Sequence, residues 1–473
     1  MKRSLLFVTA LCLFFCVLVS CGALDAPEES LIATESTAVP EENNTVVIAE
    51  KGKNSEFQIV YGLKDDESPK AAFSLSKLIK SLTDNELVRV VDALPGKERN
   101  CEILVGAFNR PECAELLDTL NDDEYAIKVV SDGEKTKIIF AYKGVFALMC
   151  AIDRFEQEYL TAENGKIEIP AKLDVRDKFS EADAIIVSQL PQLRDPCILV
   201  EDGVYYAYGT RWIAFKNTSG DLRGEWEELG VVAQIPANAE TNYWAPEVHK
   251  YNGAYYMFTT YRSSVTGHRG CTIMKSDSPE GPFVEITNGH ITPSDWDSID
   301  GTFYVDPDGQ PWMVFVHEWT STDDGIGRMA AAKLSEDLTH FISEPVELFR
   351  ADDPSWSKAQ VTDGCWMYRT EDGQLLMLWS NSDSAGYCVG IARSVDGRVD
   401  GTWTQDHELL YSQNITGMKY DGGHGMLFYD TDGQMYLSIH SPNRSGMDRL
   451  ETPVFIPVRE ENGTIVWDLW KKK

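Results

Sequence analysis

Residues 195–210, "DPCILVEDGVYYAYGT", read as two apolar strands joined by a tight D-G turn, with an aspartate locked against a proline at the start. Proline has no N–H to give a strand ladder, so Pro196 marks a strand boundary. The reading that decides the fold is that this pattern returns four times. It returns as "APEVHKYNGAYYMFTTY" from Ala245, "DGTFYVDPDGQPWMVFVH" from Asp300, "DGCWMYRTEDGQLLMLWS" from Asp363 and "HGMLFYDTDGQMYLSIHS" from His424. The starts lie 50, 55, 63 and 61 residues apart. Further strand-like pieces, such as "CTIMKSDSPEGPFVEI" and "GIARSVDGRVDGTWTQ", fill the intervals. Four strands per unit at this period predict a β-propeller, and five units predict five blades over residues 180–473. A β-sandwich also strings short strands together, but it gives no reason for a repeated start motif.

Upstream the pattern is mixed. "EFQIVYG" and "CEILVGAF" read as strands, and "YAIKVVSDGEKTKIIFAY" as a hairpin. Leu75, Leu78, Ile79 and Leu82, then Leu148, Ile152, Phe155 and Tyr159, follow helical spacing. Residues 47–178 are thus expected to form a small α/β domain, making the chain multi-domain, as 473 residues already suggest. On "EILVGAFNRPE", this segment resembles the small N-terminal domain that precedes the catalytic domain of hexosaminidases and α-glucuronidases. No residue set in it suggests chemistry, and it reads as accessory.

The first residues read as an export signal: Lys2 and Arg3, then an apolar run from Leu5 to Val19 too short for a comfortable span. The run ends "LVSCG", which resembles the lipobox of bacterial lipoproteins, with Cys21 as the acylated residue after a signal of residues 1–21. Residues 22–46, rich in Glu, Ser, Thr, Ala and Pro, read as a disordered tether. The expected location is the extracellular face of a bacterial cell membrane or outer membrane, with a lipid as the only membrane contact. A formal net charge of −32 argues against nucleic acid or anionic lipid as a ligand. Seven cysteines follow the signal with no C-x-x-C pair, which signals neither a disulfide framework nor a zinc site, although a Cys101–Cys113 bridge stays open. A monomer is expected.

In a propeller the first strand of each blade lines the central channel, so equivalent starts converge. Asp195, Ala245, Asp300, Asp363 and His424 are expected to meet there, bringing three carboxylates together. Clustered carboxylates raise one another's pKa, and proteins keep such clusters mainly for chemistry or metal binding. Glycoside hydrolysis needs such a set: one protonated carboxyl to assist the leaving group and one ionised to activate water. A metal-dependent enzyme using the three aspartates as ligands ranks lower, because only His424 accompanies them. A non-catalytic carbohydrate-binding propeller is the other rival.

"RDPCILVEDGVYYAYGT", "YWAPEVHKYNGAYYMF" and "SIDGTFYVDPDGQPWMVF" resemble the blade-start motifs of glycoside hydrolase family 43, from about residue 185 to 473. Members of that family are five-bladed propeller enzymes acting on arabinans, xylans and related galactosides with inversion of configuration. The resemblance implies Asp195 as general base and Asp300 as the residue that modulates and orients the acid. His424 in "GGHGMLF" matches a histidine near the channel axis that in many members sits by a hydrated calcium, so a calcium held through water is a further expectation, with no cofactor required. The departure is at the acid, where "VTDGCWMY" places Asp363 in the position of a glutamate. Aspartate is one methylene shorter, and a displacement of about an ångström can cost on the order of 100-fold. Glu318 in "FVHEW" is the alternative acid, emerging from a returning strand near Asp300. The same strand-return argument places Arg211, Arg262, Asn381 and His440 at the mouth as sugar contacts, and Trp244, Trp296, Trp319 and Trp366 as stacking surfaces, with Trp244 and Trp366 favoured.

Overall fold

The computed structural model describes residues 45–470 apart from positions 66, 95, 133, 417 and 444–450. The export signal and Cys21 therefore lie outside the described residues, as does nearly all of the tether. From Ile186 onward the chain forms five antiparallel sheets. Blade 1 runs through Cys197–Glu201, Val204–Gly209, Ile213–Asn217 and Glu227–Val231. Blades 2, 3 and 4 begin at Ala239–Tyr251, Ser298–Val305 and Asp363–Arg369, and each adds three further strands. Blade 5 takes Gly423–Tyr429, Met435–Ser441 and Thr452–Glu461 from the end of the chain and Ile186–Val187 from before blade 1.

The hairpin turns are local chemistry. Asp202 and Gly203 have φ of 50° and 78°, and Asn252 and Gly253 have 46° and 80°. Two positive φ values in a two-residue loop give the turn whose twist matches the flanking strands. Each blade's first strand packs on the next, from blade 1 through blade 5 and back to blade 1. The ring is closed by Ile186 pairing with Phe455 and Val187 with Val454, so the two ends of the propeller segment are hydrogen-bonded within one blade. The five repeats and the further strand-like pieces between them correspond to this five-bladed propeller.

The upstream segment contains a six-stranded sheet. Its order is 88–91, 57–61, 101–105, 136–142, 124–131 and 174–178, parallel across the first four strands and antiparallel thereafter. Alternation sends Ile59, Ile103 and Ile138 to one face, against Leu75 of helix α1 (Glu67–Thr83) and, farther along, Phe155 of the 145–158 helix. Val60, Leu104 and Ile139 go to the other face, against Cys113 of the 111–117 helix. A second sheet joins Thr45–Glu50 to Lys166–Pro170 and Ala162–Glu163.

The first of these faces continues without a break into the apolar core of blades 4 and 5, through Leu376, Leu437 and Trp467. Phe146 stacks on Trp467 with ring centroids 5.8 Å apart. One guanidinium fastens this junction: Arg459 donates to Asp153 at 2.7 Å, Glu156 at 2.8 Å and Glu461 at 2.6 Å. All seven described cysteines are free, so the Cys101–Cys113 bridge left open by the sequence does not form.

Candidate active site

The blade starts share one backbone device. Between Trp244 and Glu247, Ile299 and Thr302, Asp363 and Trp366, and Gly423 and Met426, the pairing with the second strand slips by a bulge. Within these bulges Ala245, Asp300, Gly364 and His424 take φ of 40°, 54°, 43° and 55°, and Asp195 of blade 1 takes 55°. Bulges at barrel and propeller rims re-aim side chains. Here they turn consecutive starts toward the channel. This corrects the register expected from the sequence: in blade 4 the equivalent of Asp195, Asp300 and His424 is Gly364. Asp363 stands one residue earlier, level with Trp244, Ile299 and Gly423. The reason is steric. A Cβ on Gly364 would lie 2.7 Å from Cγ of His424, so only glycine leaves room for that imidazole.

The carboxylates differ sharply in environment. Asp195 accepts a 2.6 Å hydrogen bond from the Thr210 hydroxyl, and its Oδ1 lies 3.3 Å from His424 Nδ1 and 3.6 Å from Arg194 Nε. Burial pushes its pKa up, but the opposing charge of His424, aided by Arg194 and Thr210, carries it below the ordinary aspartate value. Asp300 accepts from the Gly364 N–H at 3.0 Å and lies 3.8 Å from His424 Nδ1. Burial and the nearby Asp195 hold its pKa above the usual range, against the pull of His424. For Asp363, burial first and then the Asp300 charge push the pKa up to about 7. His424 is shifted upward in turn, because Asp195, Asp300, Glu247 and Asp363 outweigh its desolvation.

These groups line one cavity of about 310 Å³ together with Trp244, Glu318, Trp319 and Tyr387. Glu318, expected near the rim, is buried at 5% exposure, and its Oε2 accepts from Arg269 Nε at 2.6 Å. Burial raises its pKa despite that pair. Arg269 also lies 5.9 Å from the Trp244 ring.

The other expected sugar contacts separate. His440 is fully buried beneath Asp195: its Nδ1 accepts from the Asp195 N–H at 3.3 Å, and its Nε2 faces Asn443 Oδ1 at 3.0 Å. Burial lowers its pKa to about 4, so it is neutral near pH 7. Asn381 is buried and donates to Ala351 O, Ser357 Oγ and Ala359 O, which fixes a loop. Trp366 stacks on His249 in the core, and Trp296 lies flat on His317 at 3.7 Å. Arg211 and Arg262 do not line the cavity, and Arg262 faces Glu240 at 3.8 Å.

Three polar lining residues, besides the apolar Ile299, escaped the sequence reading. Arg194 immediately precedes Asp195 and bonds Glu451 at 2.9 Å, so its adjacency was a usable signal. Thr210 directly follows the returning strand of the first hairpin. Tyr387 opens the third strand of blade 4, where no repeat motif marks it, and its hydroxyl donates to Asp363 Oδ2 at 3.2 Å.

Among the described residues no three His, Cys, Asp or Glu side chains are placed to share a metal ion. His424 turns Nδ1 between two carboxylates, whereas calcium is ligated by six to eight oxygens. A calcium held through water draws its oxygens from solvent rather than from such a cage, and no step below is routed through a metal.

A closed ring of five antiparallel blades, four of them four-stranded and the fifth five-stranded, thus carries an acid-lined cavity where its blade starts meet. The model of glycosyl hydrolases family 43 matches residues 188–459, and the chain belongs to that family. It is similar to an endo-arabinase structure from Bacteroides thetaiotaomicron, with 36% identity and a TM-score of 0.53, over 61% of this chain and 100% of that one. A thermostable family-43 glycoside hydrolase, at 22% identity and TM-score 0.52 over 59% and 94% of the two chains, shares the fold. Among curated relatives, the extracellular exo-α-(1→5)-L-arabinofuranosidase of Cellvibrio japonicus is 25% identical over 44% of this chain and 65% of its own. The extracellular endo-α-(1→5)-L-arabinanase 1 of Bacillus subtilis is 26% identical over 27% and 44%. The chain thus spans less than two thirds of the length of these two relatives.

Proposed function

We propose that this protein is an inverting glycoside hydrolase acting on arabinose-, xylose- or galactose-containing polysaccharides or oligosaccharides. The observation that carries the reading is the pair of oppositely tuned carboxyls in one cavity: Asp195 held low and Asp363 held near 7. Pairs of titratable groups pushed apart by their surroundings mark acid and base. Asp195, ionised, takes a proton from water as the water oxygen attacks the anomeric carbon. Asp363, protonated, gives its proton to the departing glycosidic oxygen as the C–O bond breaks. Asp300 raises the pKa of Asp363 by its charge and is itself fixed by the Gly364 N–H. Trp244 and Trp319 offer aromatic surface to the sugar.

A second reading assigns the acid to Glu318, which shares the cavity and whose pKa burial raises. A glutamate is the longer side chain, but Arg269 holds it as an ion pair. Residues 47–178 are proposed as an accessory α/β domain, and Cys21 as the lipidated residue of an exported protein. Among the described residues no helix is long and apolar enough to cross a membrane. The test is a screen of the purified protein on arabinan and on pentose and galactose aryl-glycosides, with Asp195→Asn as control. Turnover by the wild type alone supports the reading; sugar binding without turnover by either protein would make this a binding propeller.

A further inference from the structure

Tyr387 makes a contact that the catalytic reading does not use. Its hydroxyl donates to Oδ2 of Asp363 at 3.2 Å, and its ring stacks on His440 at 5.6 Å and 26°. Its own N–H is tied to Asp421 Oδ2 at 3.1 Å, and a Cβ on Gly423 would fall 2.5 Å from the ring, so the ring sits in a close-fitting slot. His440 in turn holds the main chain of Asp195. One buried tyrosine therefore touches Asp363 directly and reaches Asp195 through a single stacked residue.

A phenol shared with a carboxyl group has a chemical consequence. Burial and the adjacent Asp363 keep the Tyr387 pKa well above its ordinary value, so the hydroxyl stays protonated and acts as a donor. A protonated carboxyl has one oxygen that donates and one that accepts. If Oδ2 accepts from Tyr387, the acid proton belongs on Oδ1, for which no hydrogen-bond partner occurs among the described residues. Aspartate, shorter than the glutamate it replaces, has less reach to correct a misplaced proton by rotation. A fixed proton-bearing oxygen is what a short acid needs.

We propose that Tyr387 is a positioning residue for the general acid, fixing the proton of Asp363 on the oxygen that meets the leaving group. This rests on the reading of Asp363 as the acid. In the step, Oδ1–H breaks as the proton passes to the glycosidic oxygen, and the new carboxylate keeps its bond from Tyr387. The hydroxyl also stabilises the ionised product, since a hydrogen bond to the charged form favours it. The groups that set the charge of Asp363 from the surrounding elements are Asp300, Asp195, Arg194 and His424, besides Tyr387.

The test is Tyr387→Phe, which keeps the ring and its stack on His440, compared with Asp363→Asn on aryl glycosides that differ only in leaving-group acidity. Tyr387→Phe should lose about 10-fold in kcat/KM on poor leaving groups and less than 2-fold on nitrophenyl glycosides, a part of the roughly 10²–10⁴-fold that a general acid itself supplies. Because the phenol favours the carboxylate, its loss raises the pKa of Asp363, and the alkaline limb of the pH profile on poor leaving groups should move to higher pH. A merely structural role would lower all substrates alike and leave that limb in place. If Asp363→Asn is leaving-group dependent while Tyr387→Phe is not and its limb stays put, the inference about Tyr387 is overturned alone. If Asp363→Asn shows no such dependence, the acid assignment falls, and the inference with it.

Discussion

Nδ1 of His424 stands 3.3 Å from Oδ1 of Asp195, an imidazole and a carboxylate that shift each other's pKa in opposite directions. His424 can stand there because the equivalent position in blade 4 is Gly364, whose missing side chain makes the space. The ion pair keeps Asp195 ionised at the pH where a base must accept a proton, while Asp363 in the same cavity holds one to give.

Asp195→Asn should reduce turnover by roughly 100-fold or more, because the amide cannot accept the proton of water. Asparagine is the informative replacement. Asp195 has a φ of 55°, which asparagine adopts readily, whereas alanine would add backbone strain. Steady-state rates and a thermal melt check this; near-normal turnover would remove the base assignment.

Hydrolysis should release the inverted anomer, with base and acid carboxyl groups roughly 6.5–9.5 Å apart to admit the attacking water. Proton NMR of the first product formed decides it. A retained anomer would contradict the mechanism even with hydrolysis demonstrated.

Asp363→Ala should depress substrates with poor leaving groups far more than activated nitrophenyl glycosides, which leave without a proton. Glu318→Gln should lower both equally, since an ion-paired cavity residue contributes binding to each. The reverse pattern, read from a plot of log kcat/KM against leaving-group pKa, moves the acid role to Glu318.

Activity should fall as pH rises through about 7, where Asp363 loses its proton, and at the acid end only below the ordinary aspartate range, where Asp195 gains one. The same shift costs stability. A carboxyl whose folded pKa is raised binds its proton more tightly in the folded state, so stability is lost between the unfolded pKa near 4 and about 7. Asp363→Asn should therefore melt higher than wild type at pH 8, with the gap shrinking toward pH 4. A gap independent of pH would refute the placement of that charge.

Arg459→Met should destabilise the protein by about 3–5 kcal/mol, because Asp153, Glu156 and Glu461 would lose the cation they share in a buried junction. Urea denaturation at neutral pH measures it. A loss below about 1 kcal/mol would mean that apolar contacts such as Phe146 on Trp467 hold the two parts together unaided.

The sequence by itself determined the propeller and its axis. Hairpin turns are local, since residues such as Asp202–Gly203 carry their own φ preference, and the period-2 alternation of the strands needs no partner to be read. The repeat then forces equivalent starts to converge, which is enough to bring Asp195, Asp300 and His424 to one place. Tertiary structure decided what depends on contacts between blades. The one-residue offset of Asp363 follows from the room that His424 takes beside Gly364, a contact 60 residues away in the chain. Tyr387 enters the cavity from a third strand, where no repeat marks it. His440 leaves the sugar face for buried packing and Trp366 for partly buried packing because their neighbours belong to other strands and blades, such as Tyr387 against His440 and His249 against Trp366. Periodicity fixes which way a side chain leaves its own strand; what it meets there is fixed by the packing of strands far apart in sequence.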